Sequence, residues 1–447
     1  MVYKYSLAAD FIKQKILAGI YKPGEKLPSI QTLSKELSSS CDTIIKAYKQ
    51  LEKEHLIYVM SKSGYYVVKS AVTAGKRTGI MDMVSASPPD RINPYIDFCH
   101  CMDKAVEIYE RKLFEYSSPQ GLPELVAILV KHMAGFQVFT KAWNIFITNG
   151  SQQALYILGA MPFPNNGKTV LVEQPTYPIM LEVMKFTGTP VAGIRRTEEG
   201  IDLKELEEIF KSGDIKFFYT MPRYQNPTGF SYSNTQKKEI ARLAGKYGVY
   251  IVEDDYLADL ELDKKTDPMY GSGDEDIMIY IRSFSKTLLP GVRLGMAILP
   301  PKLQEAFICL KRSIDLNSPV LTQGALEIYL KSNMYKFHVQ KTKKYYREKM
   351  DVLRKAFRPL KDYEIKCFIP ETGIYAYIEL KDIEADILVK RLSKRNVIIR
   401  STQNSYINGF DHPEGLSLCV CKATNEDIAR VADCIKEELS AVSLRKR

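Results

Sequence analysis

The sequence predicts an α/β protein in two parts: a small three-helix module with a hairpin over residues 1–70, and a larger domain with a mainly parallel sheet over 83–447. A linker at 71–82 joins them. Three observations lead there. In the first 54 positions apolar residues recur at helical spacing in three runs, and two short strand-like runs follow. Beyond residue 83, apolar strand-like runs alternate with helical stretches, the pattern of a sheet wound by helices. Between the two, KSAVTAGKRTGIM holds small residues, glycines and basic groups without periodicity.

Residues 6–20 place Ala8, Phe11, Ile12 and Ile16 at three- and four-residue intervals, which predicts an amphipathic helix that Tyr21-Lys22-Pro23-Gly24 ends. Ser29 or Thr32 can cap a short second helix through Leu33 and Leu37. After the turn Ser38-Ser39-Ser40 a third helix runs from about Cys41 to Glu54. Ile44, Ala47, Tyr48 and Leu51 form its core stripe, and Asp42, Thr43, Lys46, Lys49 and Gln50 lie opposite. Leu56–Val59 and Tyr65–Val68 flank Ser63-Gly64 as a hairpin. Three helices and a hairpin make a winged helix-turn-helix, whose third helix can enter the major groove of DNA.

Charge agrees with that reading. Residues 1–70 hold 11 Lys, no Arg and 6 Asp or Glu, which is half of the chain's formal excess of +10. A basic module on a near-neutral partner points to nucleic acid. No arginine precedes Arg77, so this module lacks the bidentate arginine–guanine contact. Gln31, Thr43 and Lys46 are the candidate base-edge contacts, a glutamine suiting adenine, and lysines such as Lys49 are candidate phosphate contacts.

In the larger part, apolar runs at 144–148, 169–172, 217–219 and 250–252 predict strands. Ligands of such sheets bind at the carboxyl ends of the strands, and there the sequence is rich in chemistry. Thr148-Asn149-Gly150-Ser151-Gln152-Gln153 opens a helix whose free N–H groups and dipole suit a phosphate. Glu173-Gln174-Pro175-Thr176-Tyr177-Pro178 brings an aromatic ring to the sheet edge. Tyr224-Gln225-Asn226-Pro227-Thr228-Gly229 and Glu253-Asp254-Asp255-Tyr256 follow the next two strands. Ser283-Phe284-Ser285-Lys286-Thr287 sets a lysine among hydroxyls, with Arg293 seven residues on. Taken in order, these groups make one site. A lysine amine can capture an aldehyde, a carboxylate can keep a ring nitrogen protonated, and hydroxyls, an arginine and a helix N-terminus can hold a phosphate. Pyridoxal 5'-phosphate requires this set.

Composition excludes several classes. With 45% hydrophobic, 11% aromatic and 26% charged residues, the chain is neither disordered nor coiled-coil. No apolar run reaches the ~18–20 residues of a membrane span. The start, MVYKYSLAADFIKQKI, lacks the apolar core of a signal peptide, so a cytoplasmic location is expected. Eight cysteines are too sparse here for a disulfide framework and read as reduced thiols. Cys99-His100-Cys101 would point apart on a helix, so no metal site is expected.

The stretch LAGIYKPGEKLPSIQTLSKELSSSCDTIIKAYKQLEKEHLIYVMSKSGYYV resembles the DNA-binding domain of the GntR family of bacterial regulators. It departs from the family at Gln31 and Cys41, where arginines are common. Residues from about 83 to 440 resemble the fold-type I aminotransferases, which have a large parallel-sheet lobe and a smaller C-terminal α+β lobe. That resemblance implies that Lys286 is the Schiff-base lysine and that Asp254, with Asp255 as the other choice, pairs with the pyridine nitrogen. It implies that Asn226 and Tyr256 hydrogen-bond the ring oxygen and that Tyr177 stacks on the ring. The phosphate would fall to Ser151, Gln152, Ser283, Ser285 and Arg293. Tyr116, in Glu115-Tyr116-Ser117-Ser118-Pro119-Gln120-Gly121, matches a tyrosine that reaches the phosphate in the neighbouring subunit, which implies a homodimer.

The two parts together resemble the MocR family of bacterial regulators. The resemblance implies operator DNA, pyridoxal phosphate and an amino-compound effector as partners. Aminotransferases usually clamp a substrate carboxylate with an arginine in a strand reading roughly Leu-Arg-Leu-Gly-Phe. Here Leu416-Ser417-Leu418-Cys419-Val420 puts Ser417 in that place, and a serine offers no bidentate charged contact. Arg400, from an adjacent strand, is either the substitute or simply a surface charge or ion pair. The missing arginine favours a sensor with little or no turnover over the alternative, an active aminotransferase carrying a DNA-binding module.

Overall fold

In a computed structural model the apolar stripes of the first and third helices meet. Ile12 and Ile16 join Ile44, Ala47, Tyr48 and Leu51 in one buried cluster with Leu33, Ile57 and Val67. The structure describes residues 4–54, 56–60, 63–68, 79–263, 266–363, 365–381 and 383–445. They divide into two compact units, Met1–Ile80 and Met81–Arg447.

The first unit contains α1 (Lys4–Leu17), α2 (Ile30–Glu36), α3 (Cys41–Lys53) and a hairpin of β1 (Ile57–Met60) and β2 (Gly64–Val67). The cap of α2 is Ser29, whose Oγ accepts from the Thr32 amide at 3.1 Å; Ser40 caps α3 in the same way through the Thr43 amide. Tyr48 ties the module together, because its hydroxyl donates to the Pro28 carbonyl at 2.6 Å and its ring stacks on Tyr65 with centroids 4.4 Å apart. The helix α1 stops at Leu17, short of residue 20, and Gly19 turns the chain at a φ of 73°.

Most of the expected linker, residues 71–78, lies outside the described residues. Its last two positions are a correction. Met81 and Asp82 form β3 (Met81–Asp82), which pairs in parallel with β13 (Val397–Ile398) of the second unit. Met81 belongs there because its side chain is buried in that unit's core and its amide donates to Asn396 O at 2.7 Å.

The second unit is built on seven strands: β4 (Ile145–Thr148), β5 (Thr169–Gln174), β6 (Val191–Arg195), β7 (Ile215–Thr220), β8 (Tyr250–Asp254), β9 (Met278–Ser283) and β10 (Gly295–Ile298). Their order is β4-β10-β9-β8-β7-β5-β6, with β10 antiparallel to both neighbours and the β5–β9 block parallel. Parallel strands buried on both faces alternate between two cores. Met278 and Tyr280 of β9 enter one buried cluster, Ile279 and Ile281 the other. A four-stranded antiparallel sheet, β11 (Lys366–Phe368), β12 (Tyr375–Glu379), β15 (Gly415–Cys419) and β14 (Arg400–Ser401), forms the smaller lobe. Among the described residues no helix is long and apolar enough to cross a membrane. Cys99 and Cys101 lie on the helix Tyr95–Tyr109, the first exposed and the second buried, so they do face apart.

Candidate cofactor site and DNA-reading face

Alternation along β8 separates the two adjacent carboxylates. Tyr250 and Val252 pack on one face of the sheet and Ile251 on the other. Asp254 therefore points with the first pair, Asp255 with Ile251. On its face Asp255 is fully engaged by Arg223, through Nε at 3.2 Å and through Nη2, and by the Tyr280 hydroxyl at 2.7 Å. Asp254 accepts one hydrogen bond, from Tyr219 at 3.0 Å to Oδ2, and its Oδ1 is buried without a partner. Burial pushes the Asp254 carboxyl up to about 7; Asp255 adds to the rise, while the Tyr219 hydroxyl and Lys286 oppose it.

Asp254 lines a cavity of ≈ 360 Å³ whose wall also includes Lys286, Tyr177, Asn226, Tyr256, Ser151, Gln152, Ser283 and Arg400. The Lys286 amine donates to Ala86 O at 3.1 Å. The Tyr177 hydroxyl accepts from Gln152 Nε2 at 3.2 Å, which links the aromatic wall to the helix Ser151–Ala160. Asn226 Nδ2 donates to the Tyr375 hydroxyl at 3.4 Å. Tyr256 also faces the cavity, but its single proton goes to Tyr224 O at 2.6 Å.

One end of the site is an anion cradle. Gly150 precedes the helix Ser151–Ala160 at a φ of 77° and gives no side-chain cap, so the first-turn N–H groups are open to a ligand. Arg293 closes over this terminus, with Nη2 3.2 Å from Asn149 O and 3.5 Å from Gln152 Oε1. Ser283 Oγ accepts from the Ser285 amide at 3.2 Å, and Ser285 Oγ is buried and unpartnered. Arg293 thus borders the helix terminus, and neither it nor Ser285 is part of the cavity wall. A Cβ at Gly150 would come within 2.6 Å of Arg293 Nη2. Gly150→Ala is therefore expected to strain the backbone by about 1–2 kcal/mol and displace the guanidinium. Spectroscopic titration with pyridoxal phosphate should then show roughly tenfold weaker binding, equivalent to ~1.4 kcal/mol, with an unchanged far-UV circular dichroism spectrum.

Tyr116 is not part of this chain's cavity; it is 90% exposed beyond the short helical turn Glu110–Phe114. Arg400 is brought to the site: it stands directly across from Ser417 between β14 and β15 and lines the cavity. It is exposed, and among the described residues no carboxylate pairs with it, so it is a cation without a counter-charge at the cavity wall. Ser417 is buried and donates to Pro227 O at 2.9 Å. Sequence reasoning missed Tyr219, Tyr375 and the segment Val84–Ala86, which also lines the cavity. Tyr375-Ala376-Tyr377-Ile378 is an apolar run of strand length, but nothing in it points to the site. Val84-Ser85-Ala86 carries no signal.

On the first unit, Gln31 is exposed on α2, and Lys46 and Lys49 are exposed on the solvent side of α3. Thr43 is half-buried, its hydroxyl 2.8 Å from Ser40 Oγ. Lys46 is held by Asp42 one turn earlier, at 2.8 Å, which leaves Lys49 the freer cation on that face.

The arrangement can hold a dianion at one end and a protonated ring nitrogen at Asp254, and it presents an amine in the same wall. The family model for class I and II aminotransferases matches residues 96–435. The chain belongs to that family. The model for bacterial regulatory proteins of the gntR family matches residues 4–67, and the combination is the MocR architecture: a GntR-type regulator fused to an aminotransferase-like domain. This MocR-type chain is 40% identical to an uncharacterized HTH-type transcriptional regulator, YcxD, of Bacillus subtilis, over 96% of the chain and 98% of that relative. Among solved structures it is similar to a kynurenine aminotransferase of Pyrococcus horikoshii, with a TM-score of 0.74 and 26% identity, over 81% of this chain and 92% of the other. It is also similar to LysN, an α-aminoadipate aminotransferase of Thermus thermophilus, with a TM-score of 0.74 and 25% identity, over 82% of this chain and 94% of the other.

Proposed function

We propose that this MocR-type protein is a pyridoxal-phosphate-dependent, DNA-binding transcriptional regulator whose aminotransferase-like part senses the cofactor together with an amino compound. The observation that carries the reading is Asp254 Oδ1, a buried carboxylate oxygen with no partner in the same cavity wall as the Lys286 amine. Such an orphan is costly unless a ligand donor fills it. When bound, pyridoxal phosphate supplies an aldehyde for a lysine amine and a ring that accepts electrons. LysN of Thermus thermophilus was solved with a phosphopyridoxyl-leucine compound, which supports the same group here.

In this reading Asp254 holds the ring-nitrogen proton, Tyr219 fixes which of its oxygens is free, and Tyr177 faces the ring. The open terminus of Ser151–Ala160, with Gln152, Ser283, Ser285 and Arg293, binds the phosphate. Asn226 reaches the ring oxygen, and Tyr256 joins it only by giving up Tyr224. Arg400 binds a carboxylate of the effector through its guanidinium fork, a task Ser417 cannot perform. Residues 1–70 carry DNA binding through Gln31, Thr43, Lys46 and Lys49, and the second unit, from Met81 on, carries sensing. Exposed Phe114 and Tyr116 support a homodimer in which Tyr116 serves the other subunit's phosphate. We place the protein in the cytoplasm, where its DNA would be.

A ligand shifts such a regulator only by binding two of its states unequally. The test is an absorbance titration of the purified protein with pyridoxal phosphate and then a panel of amines and amino acids, run beside operator-DNA binding. The expected result is a cofactor band that shifts with one amine and then holds, with a matching change in DNA affinity. Lys286→Ala should lose both. A band that decays with an amino acid and returns with a keto acid, turnover after turnover, would establish the aminotransferase instead.

A further inference from the structure

The first residues of the second unit run past the Lys286 cavity before the chain enters its helices. Met83 is buried, and Val84, Ser85 and Ala86 lie in the cavity wall. This segment is bonded repeatedly to the smaller lobe. Met81 N donates to Asn396 O at 2.7 Å and Met83 N to Ile398 O at 2.9 Å; Cys419 N donates to Met83 O at 2.7 Å. Lys422 Nζ donates to Pro88 O at 3.4 Å. Among the described residues, the hydrogen bond that ties 81–90 to a loop of the seven-stranded sheet is Lys286 Nζ to Ala86 O at 3.1 Å.

We propose that residues 81–90 are a strap, latched by the Lys286 amine, that reports the state of that amine to the chain leading back to the DNA-binding unit. The inference rests on Lys286 being the residue that captures the cofactor aldehyde. The amine holds Ala86 O only while it has protons to donate toward it. Once the ammonium has released one proton to solvent, condensation of the neutral amine with an aldehyde expels one water, the aldehyde oxygen leaving with the two remaining protons, and the latch is lost. An amino compound that replaces the lysine on the aldehyde passes its own two protons to Nζ, and the latch can close again. Cofactor and effector would then drive the strap in opposite directions, and because residues 71–80 follow directly upstream, the tether of the winged helix receives the difference.

Hydrogen exchange by mass spectrometry on full-length protein tests this, read on peptides covering 83–90. Without cofactor, Lys286→Met is expected to speed exchange there by about tenfold, the scale of one charged hydrogen bond, while peptides from β7, β8 and β9 stay as in the wild type. Lys286→Arg, which keeps a cationic donor, should restore protection. Pyridoxal phosphate should speed exchange in the wild type and do nothing in Lys286→Met. Equal exchange in wild type and Lys286→Met without cofactor overturns the strap. If the wild type shows no cofactor band, the cofactor reading fails, and the cofactor-free comparison still decides whether Lys286 is the latch.

Discussion

Asp254→Asn is expected to stabilise the cofactor-free protein at pH 8 and to weaken its hold on pyridoxal phosphate at the same time. The carboxyl is buried and titrates at about 7 in the fold, against an ordinary value of 3.8. Between those values the folded protein keeps a proton that the unfolded chain has released, so stability falls as pH rises through that window. Above about 7 both forms are ionised and the full cost of a buried charge is present. At 1.36 kcal/mol per pK unit that cost is about 4 kcal/mol. Asparagine has the same shape, still accepts from Tyr219 and cannot ionise, but its unpaired N–H₂ returns about 1–3 kcal/mol of the gain. Melting curves of wild type and variant should therefore diverge from pH 5 to pH 7, in favour of the variant, and then run parallel to pH 8. A difference that stays flat over that range would show that Asp254 carries no raised pKa. Cofactor affinity moves the other way, by at least about tenfold, because a neutral amide cannot pair with a charged ring N–H as a carboxylate does. Stability gained where ligand binding is lost is the mark of a residue kept for function.

The choice between Asp254 and Asp255 shows where sequence reading stops. The period of two that separates them runs through Tyr250, Ile251 and Val252, all apolar because the strand is buried on both faces, so hydropathy has no contrast to show. The deciding partner of Asp255 is Arg223, 32 positions earlier. Polar residues at strand ends hid the boundaries in the same way. The run at 217–219 extends to β7 (Ile215–Thr220), because Lys216 is buried inside the strand, where its amine donates to Gly159 O at 2.7 Å, and Thr220 donates to Glu173 at 2.7 Å. Periodicity did succeed where one face alone is buried: Ile44, Ala47, Tyr48 and Leu51 of α3 are all fully buried. Lysine and its cradle were legible as motifs, since the chemistry needs particular residues at strand ends. The strap was not, because its role lies in a backbone carbonyl.

Asp259→Ala is expected to cost about 3–5 kcal/mol, although Asp259 is absent from the cavity wall. Its carboxylate is buried and gathers three elements. Arg282 Nη2 donates to it at 2.6 Å from β9, the Thr287 hydroxyl at 2.9 Å from the loop beyond Lys286, and the Tyr335 hydroxyl at 2.6 Å from the helix Met334–Phe357. Burial is the strongest influence and pushes this carboxyl up, but Arg282, Tyr335, His132 and Thr287 together outweigh it and hold the group below the usual range. The sign follows: the stability it gives is present above the unfolded pKa of about 3.9 and is lost as pH falls below it. Removing it leaves the Arg282 guanidinium buried against Phe136 without its hydrogen-bonded carboxylate. The urea midpoint of the large unit, followed by near-UV circular dichroism, should drop accordingly. The double variant Arg282→Met/Asp259→Leu should recover most of the loss, because an apolar pair of similar volume leaves no buried charge. A single variant that costs under ~1 kcal/mol would mean that Arg282 finds another partner or water. Arg282 and Thr287 bracket the Ser283–Lys286 loop, so the single variant should also loosen that loop and weaken cofactor binding. The double variant should recover stability without recovering that binding, since Thr287 still lacks its acceptor: one carboxylate outside the cavity both neutralises a buried cation and fixes where the lysine stands.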